Sequence, residues 1–241
     1  MDELSKYKKF VDDKSLFLFC KRIFDIFVSI FGILFMIILT IIIKIIFVLS
    51  GDFSSVFFTH ERIGRYNKKF KIIKYRTMYK NADEMLKEML KDPKYKKEWE
   101  LYHKFDNDPR ITNTGALLRR LSLDEIPQFI NILKGDMSLI GPRPLTMPEV
   151  KEYKNDKYKL LSVRPGLSGW WAVNGRNNIL NKKRMKLELY YVDNIGICID
   201  IKIFFKTIYK ILSGDGAKWF VEKTNYFLYN DINKIEVLYE K

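Results

Sequence analysis

The first fifty positions divide sharply by polarity. Residues 1–22 are polar and basic and end in Lys21-Arg22, whereas no charged residue occurs from Ile26 to Ile43. After Lys44 the apolar pattern resumes as Ile45-Ile46-Phe47-Val48-Leu49 and closes at Ser50-Gly51-Asp52. As a helix the uncharged run rises roughly 27 Å, close to a hydrocarbon core about 30 Å thick, so it is predicted to be a membrane segment rather than a buried core helix. It is too long for a cleaved signal peptide, and no small-residue cleavage site follows. Further on, Val56 to Thr59 and Phe70 to Tyr75, joined through Ile63-Gly64 and a polar turn, predict two short strands. Asn81 to about His103 predicts two amphipathic helices broken at Asp92-Pro93. Gly115 to Leu133 predicts a second helical region, Gly141 to Pro148 a rigid loop, and Ser162 to Asn178 a Gly- and Arg-rich loop with a short apolar core at Trp170 to Val173. Apolar residues recur at helical spacing from Lys183 to Leu212.

The expected organisation is a membrane anchor over 1–50, a mixed α/β catalytic domain over 51–217 and a tail over 218–241. No internal repeat is present.

Charge narrows the partners. With 43 Lys+Arg against 29 Asp+Glu the chain carries +14, a surplus suited to phosphoryl groups, anionic head groups or nucleic acid. Two cysteines, Cys20 and Cys198, exclude a disulfide framework or a Cys-rich zinc site and fit a reducing, cytosol-facing domain. His60 and His103 are far apart, so a His-built metal site is excluded and any metal falls to carboxylates and phosphates. Basic residues crowd both flanks of the apolar run, Lys6 to Arg22 before it and Arg62 to Lys74 after it. Both flanks would favour the cytoplasmic side, so the anchor is expected to be re-entrant, whereas a straight span would export one basic flank. Asp25 stands at helical spacing from Lys21 and Arg22 and could pair with either.

The most informative stretch runs from Leu117 to Gln128. Pro127 has no N–H and is tolerated only in a first turn, so a helix through Phe129 to Leu133 is expected to begin near Leu123 or Asp124. That places Asp124 and Glu125 at the helix start, where anions are favoured. Two readings follow. Asp124 is an N-cap, or Ser122 and Glu125 form a capping box; or the pair, with Arg119 and Arg120 nearby, attacks or binds a phosphoryl group, directly or across a divalent ion. Gly141-Pro142-Arg143-Pro144 stiffens one arginine between prolines, as a phosphate ligand or as a surface turn. Arg164 and Arg176 sit on glycine-bearing loops, and Lys74, Arg76 and Arg110 supply further cations, each also compatible with a solvated face. No Walker loop or G-x-G-x-x-G fingerprint is present.

The residues Lys21-Arg22-Ile23-Phe24-Asp25, Lys74 to Met78, Asn107 to Thr112, Leu118 to Gln128, Leu133 to Pro144, Arg164-Pro165-Gly166 and Asn174-Gly175-Arg176, in this order, resemble the bacterial sugar transferase family. These are the monotopic phosphoglycosyl transferases, polyprenyl-phosphate hexose-1-phosphate transferases. The resemblance covers about residues 17 to 217.

It implies that Asp124 attacks the β-phosphate of a UDP-sugar, releases UMP and passes a covalent phosphosugar to polyprenyl (undecaprenyl) phosphate, initiating a lipid-linked glycan at the cytoplasmic face of the bacterial inner membrane. It further implies Mg²⁺ at Asp124, with Glu125 as base or metal neighbour, and Arg119 and Arg143 as phosphate ligands.

Three positions depart from the family. Ile37-Ile38 stand where shorter members have the Ser-Pro pair that bends a re-entrant anchor, leaving Gly32 or Thr40 to bend the helix. The Asn81 to His103 segment resembles the insert of longer members, which carry further membrane helices and another domain ahead of it; a catalytic core standing alone is expected. Trp171-Ala172 replaces the glutamine that many relatives carry after the tryptophan. The rival reading, a membrane-tethered basic binding protein without catalysis, gives no reason for Asp124-Glu125-x-Pro127, and nucleic acid is not expected as a partner.

Overall fold

The structure is a computed structural model and describes residues 3–102, 105, 107–175 and 181–213. The expected tail and Arg176 lie outside the described residues. A short helix α1 (Glu3–Lys8) and a 3-10 turn at Asp12–Lys14 lead into one uninterrupted helix, α2 (Ser15–Leu49), about 52 Å long at 1.5 Å per residue. It is the one helix among the described residues long and apolar enough to cross a membrane. Asp25, Ser29, Met36, Ile43 and Phe47 are buried on one face, because steps of four and seven residues stay on one side of a helix. The opposite face leaves Phe24, Phe27, Phe31, Ile38 and Ile41 exposed.

The bend expected of a re-entrant anchor is not made. Gly32 serves packing instead: a Cβ there would come 2.4 Å from the Phe129 ring. Thr40 donates to the Met36 carbonyl at 2.7 Å and its hydroxyl lies 2.6 Å from that of Tyr75. Nor do Lys21 and Arg22 pair with Asp25. Lys21 pairs with Asp200, Arg22 donates to the Ile132 and Leu133 carbonyls, and buried Asp25 accepts the Leu139 N–H at 2.9 Å. At the far end Lys44 donates to the carbonyls of Phe53 and Ser54. Ile43 and Phe47 are buried there with Val56 and Tyr75, so both ends of α2 are tied to the same body, and the helix lies along it.

That body mixes helix with two small sheets. β1 (Phe57–Ile63) and β2 (Lys69–Tyr75) form an antiparallel hairpin with Phe57 opposite Tyr75. The amphipathic pair forms α3 (Ala82–Met89) and α4 (Pro93–Tyr102). The second helical region divides into α5 (Asn113–Arg120) and α6 (Gln128–Lys134). β3 (Ser138–Ile140) runs parallel to β4 (Gly166–Ser168). Between them α7 (Met147–Glu152) starts on a Thr146–Glu149 capping box inside the expected rigid loop, followed by α8 (Lys157–Leu160). The expected loop from Ser162 therefore contains β4 and a one-turn helix α9 (Trp170–Val173), and the late pattern resolves into α10 (Asn181–Asp193) and α11 (Ile197–Ser213).

Tyr7 and Val11 are buried in the same cores as Leu145, Tyr153, Tyr191 and Ile203, so the N-terminal segment packs into the body rather than apart from it. α6 is fastened beside β2 by one buried side chain, Asn131. Its Oδ1 accepts the Ile73 N–H at 3.0 Å and its Nδ2 donates to the Lys71 carbonyl at 2.8 Å, so it supplies the hydrogen bonds a further strand would make.

Candidate active site

The chain between α5 and α6 is not α-helical, and α6 begins at Gln128 rather than near Leu123 or Asp124 as the sequence predicts. Ser122 takes a left-handed conformation (φ 57°, ψ 20°), a 3-10 turn covers Leu123–Glu125, and Pro127 (φ −62°) precedes the first residue of α6. The left-handed residue reverses the chain before Pro127 can start the next helix. The expected capping box is consequently absent: Ser122 makes no side-chain cap, and the Glu125 carboxylate accepts from Lys74 Nζ at 2.7 Å. Asp124 and Glu125 stand on this turn, both partly exposed. Leu123 and Ile126 on either side pack against the cluster of Met36, Ile43, Tyr75 and Leu118. Tyr75, next to Lys74, donates its hydroxyl to the Met36 carbonyl at 3.0 Å. The acidic pair is therefore fixed beside the middle of α2.

Arg119 completes this group. Its Nε donates to the Thr77 hydroxyl at 2.8 Å. Burial lowers the pKa of its guanidinium, while Asp124 and Asp108 favour the charged form, as opposite charges at short range do. Tyr75 and Thr77 enter the sequence reading only within the Lys74 to Met78 motif and have no role of their own there, since neither carries a charge.

The remaining predicted cations among the described residues are engaged by other groups. Arg76 binds Asp52 at 2.7 Å and the Ser55 carbonyl at 2.9 Å. The Asp52 carboxyl is held down at about 2, chiefly by the Ser54 hydroxyl and then by Arg76. Arg110 forms a two-point clasp with Asp108, 2.8 and 2.7 Å, and lies over the Trp99 and Phe105 rings. Arg164 donates to the Gly135 carbonyl at 2.8 Å. Arg143 lies over Trp171, 5.3 Å from the ring centre, in a second polar cluster. There Glu149 pairs with Arg62 at 3.3 Å and Arg184 at 3.5 Å, and Tyr153 donates to Glu188 at 2.6 Å. Arg143 Nε has no hydrogen-bond partner among the described residues.

Burial pushes the Glu188 carboxyl up to about 7 from the ordinary 4.5, against the pull of Tyr153, Arg184 and Arg143. The folded state then holds a proton that the unfolded state releases, so stability is full at low pH and is lost as pH rises from about 4.5 to about 7, by up to about 3 kcal/mol. Glu188→Gln keeps the acceptor for Tyr153 without the charge. The melting temperature of the parent, relative to this variant, is expected to fall on going from about pH 5 to 7.5. A constant difference would contradict the assignment.

An acidic pair between a lysine and an arginine, beside an apolar helix, is a site suited to phosphoryl groups. The chain belongs to the bacterial sugar transferase family, whose model matches residues 16–214. It is 43% identical over 198 residues to an uncharacterized sugar transferase of Haemophilus influenzae (82% of this chain, 42% of that protein). It is 42% identical over 200 residues to the undecaprenyl-phosphate galactose phosphotransferase of Salmonella typhimurium (83% and 42%). Against the exopolysaccharide production protein ExoY of Sinorhizobium fredii the identity is 38% over 198 residues, and the match covers 82% and 87%. The chain thus spans under half the length of the first two relatives.

Proposed function

We propose that this chain transfers a sugar-1-phosphate from a UDP-sugar to polyprenyl phosphate at the cytoplasmic face of the bacterial inner membrane. One Asp124 carboxylate oxygen forms a bond to the β-phosphorus of the donor while the pyrophosphate bond breaks and UMP leaves. An oxygen of the lipid phosphate then forms the second P–O bond, the aspartyl bond breaks, and a polyprenyl diphosphate sugar results. The observation that carries this reading is the Leu123–Glu125 turn, which is packed against mid-α2 and holds Asp124 near Arg119 and Glu125 on Lys74. A lipid acceptor reaching the side of α2 on which Leu123 and Ile126 pack would meet the acidic pair there. Lys74 and Arg119 would neutralise the charge of the transferring phosphoryl group.

The donor set fits Mg²⁺, which such sites hold through one or two carboxylates with substrate phosphates and water completing the shell. Asp124 and Glu125 would hold it, and its chemistry would be charge neutralisation on the phosphoryl oxygens.

The test is incubation of the membrane fraction with a panel of UDP-sugars, Mg²⁺ and polyprenyl phosphate. UMP release with a lipid-linked sugar is expected for one donor, and its absence across the panel defeats the reading. The membrane placement makes a separate prediction. Because both ends of α2 are tied to one body, cysteines introduced singly at Ser5 and Ser55 should both be labelled from the cytoplasmic side. Labelling from opposite sides refutes that topology.

A further inference from the structure

Arg164 leads to a second cationic site. With Arg22 on α2, Arg65 in the turn after β1, and Lys8 on α1, it lines an open cleft of about 420 Å³. Each guanidinium is held by backbone oxygen: Arg22 by Ile132 and Leu133, Arg65 by Ser162 at 2.9 Å, and Arg164 by Gly135 at 2.8 Å. Among the described residues no carboxylate lies within ion-pair distance of these three arginines; burial, and after it Arg65 and Arg22, disfavour the charge on Arg164, while Asp25 and Tyr66 favour it. Mutually repelling cations fixed around an open space, with Asp12 the one acidic lining residue, are an unsatisfied anion site.

The rest of the lining says what kind of anion. Val11, Leu18 and Phe19 also face the cleft. From Phe19 (65% exposed) the apolar surface continues along α2 through Ile23 and Phe27, 55% and 59% exposed. An anionic head with apolar chains matches this surface; a free phosphate uses half of it. The cleft is not the place of the proposed transfer. Arg22 caps the C-terminal end of α6, whereas Asp124 precedes its N-terminal end, some 15 Å away at helical rise.

We propose that this cleft binds the phosphodiester head group of an anionic phospholipid, with its acyl chains along Phe19, Ile23 and Phe27. The site orients the anchor in its leaflet independently of the reaction at Asp124.

The test uses the full chain in detergent micelles, titrated calorimetrically with dioctanoyl phosphatidylglycerol and dioctanoyl phosphatidylcholine. Saturable binding of one phosphatidylglycerol per chain is expected, at least about tenfold tighter than phosphatidylcholine, as charge-assisted arginine contacts require. Arg65→Gln/Arg164→Gln should lose that preference, Arg65→Lys should retain most of it, and Lys94→Gln/Lys97→Gln on the exposed surface of α4 should bind as the parent does. Equal binding of the two lipids by the parent overturns the proposal, as does unchanged binding by Arg65→Gln/Arg164→Gln. If that double variant fails to fold, the parent still decides. sn-Glycerol 1-phosphate binding as tightly as the lipid would make this a free-phosphate site, and displacement by equimolar polyprenyl phosphate would make it an acceptor site; either result overturns the phospholipid assignment.

Discussion

Asp124→Asn is expected to lower the rate of UMP release by at least about 10³-fold while leaving the fold intact, because it removes the attacking group and nothing of the turn's packing. The substitution is nearly isosteric, and the turn is held from outside itself by Leu123 and Ile126 in the apolar cluster on α2. An amide oxygen is a poor nucleophile toward phosphorus, so Arg119 and Lys74 can still bind phosphate without forming the intermediate. Glu125→Gln should cost less, about 10²-fold, the usual contribution of a proton-handling or charge-tuning group. The two roles separate further when acceptor lipid is omitted. With a donor labelled in the sugar phosphate, the parent and Glu125→Gln should both acquire protein-bound label that hydroxylamine releases, as it does from an acyl phosphate, and Asp124→Asn should acquire none. Turnover of Asp124→Asn at the parental rate would remove Asp124 as nucleophile.

How much of this was legible depended on whether a signal was local. The strand pair, the break at Asp92-Pro93 and the late helices follow from periodicity and were readable to within a few residues. The length of α2 was readable too, but not its attitude. Asp25, Ser29 and Gly32 look like interruptions of an apolar run, and only the domain gives them their roles: Asp25 takes the Leu139 N–H and Gly32 admits the Phe129 ring. Asn131 is the same case, one amide in an apolar stretch whose meaning is two backbone groups of β2. At the site, Pro127 correctly marked a helix start close by, yet a left-handed Ser122 is not written in any spacing, and it sends Glu125 to Lys74 instead of to a cap. The arginines were legible as cations and not as neighbours. Lys74 and Arg119 stand with the acidic pair, while Arg110 is occupied by Asp108, and Arg164 by Gly135 in a different cleft.

Gly115→Ala is the sharpest test of how that group is positioned. A Cβ at Gly115 would lie 2.0 Å from the Thr77 carbonyl oxygen and 2.6 and 2.7 Å from its carbonyl carbon and Cα. All three atoms are backbone, so no side chain can swing aside. The Thr77 carbonyl also accepts the Thr112 N–H at 3.1 Å, and Thr112 caps α5 through the Gly115 N–H at 2.9 Å, so α5 and the segment after β2 are already fastened at closest approach. Alanine is favoured over glycine in a helix by about 1 kcal/mol. Displacing two backbones by an ångström or more should outweigh that and leave a net loss of about 3 kcal/mol, at the upper end of overpacking costs. The displacement also falls on chemistry: Arg119, one turn further along α5, binds the hydroxyl of the same Thr77. Transfer activity at a temperature where the variant is still folded should therefore drop at least about tenfold, as expected when a positioning contact to a reacting group is misplaced. Gly196→Ala, where the nearest atom lies 3.9 Å from the added Cβ, should change stability by less than about 0.5 kcal/mol, as surface substitutions do. If Gly115→Ala melts and turns over as the Gly196 variant does, the close approach of α5 to Thr77 does not set the position of Arg119.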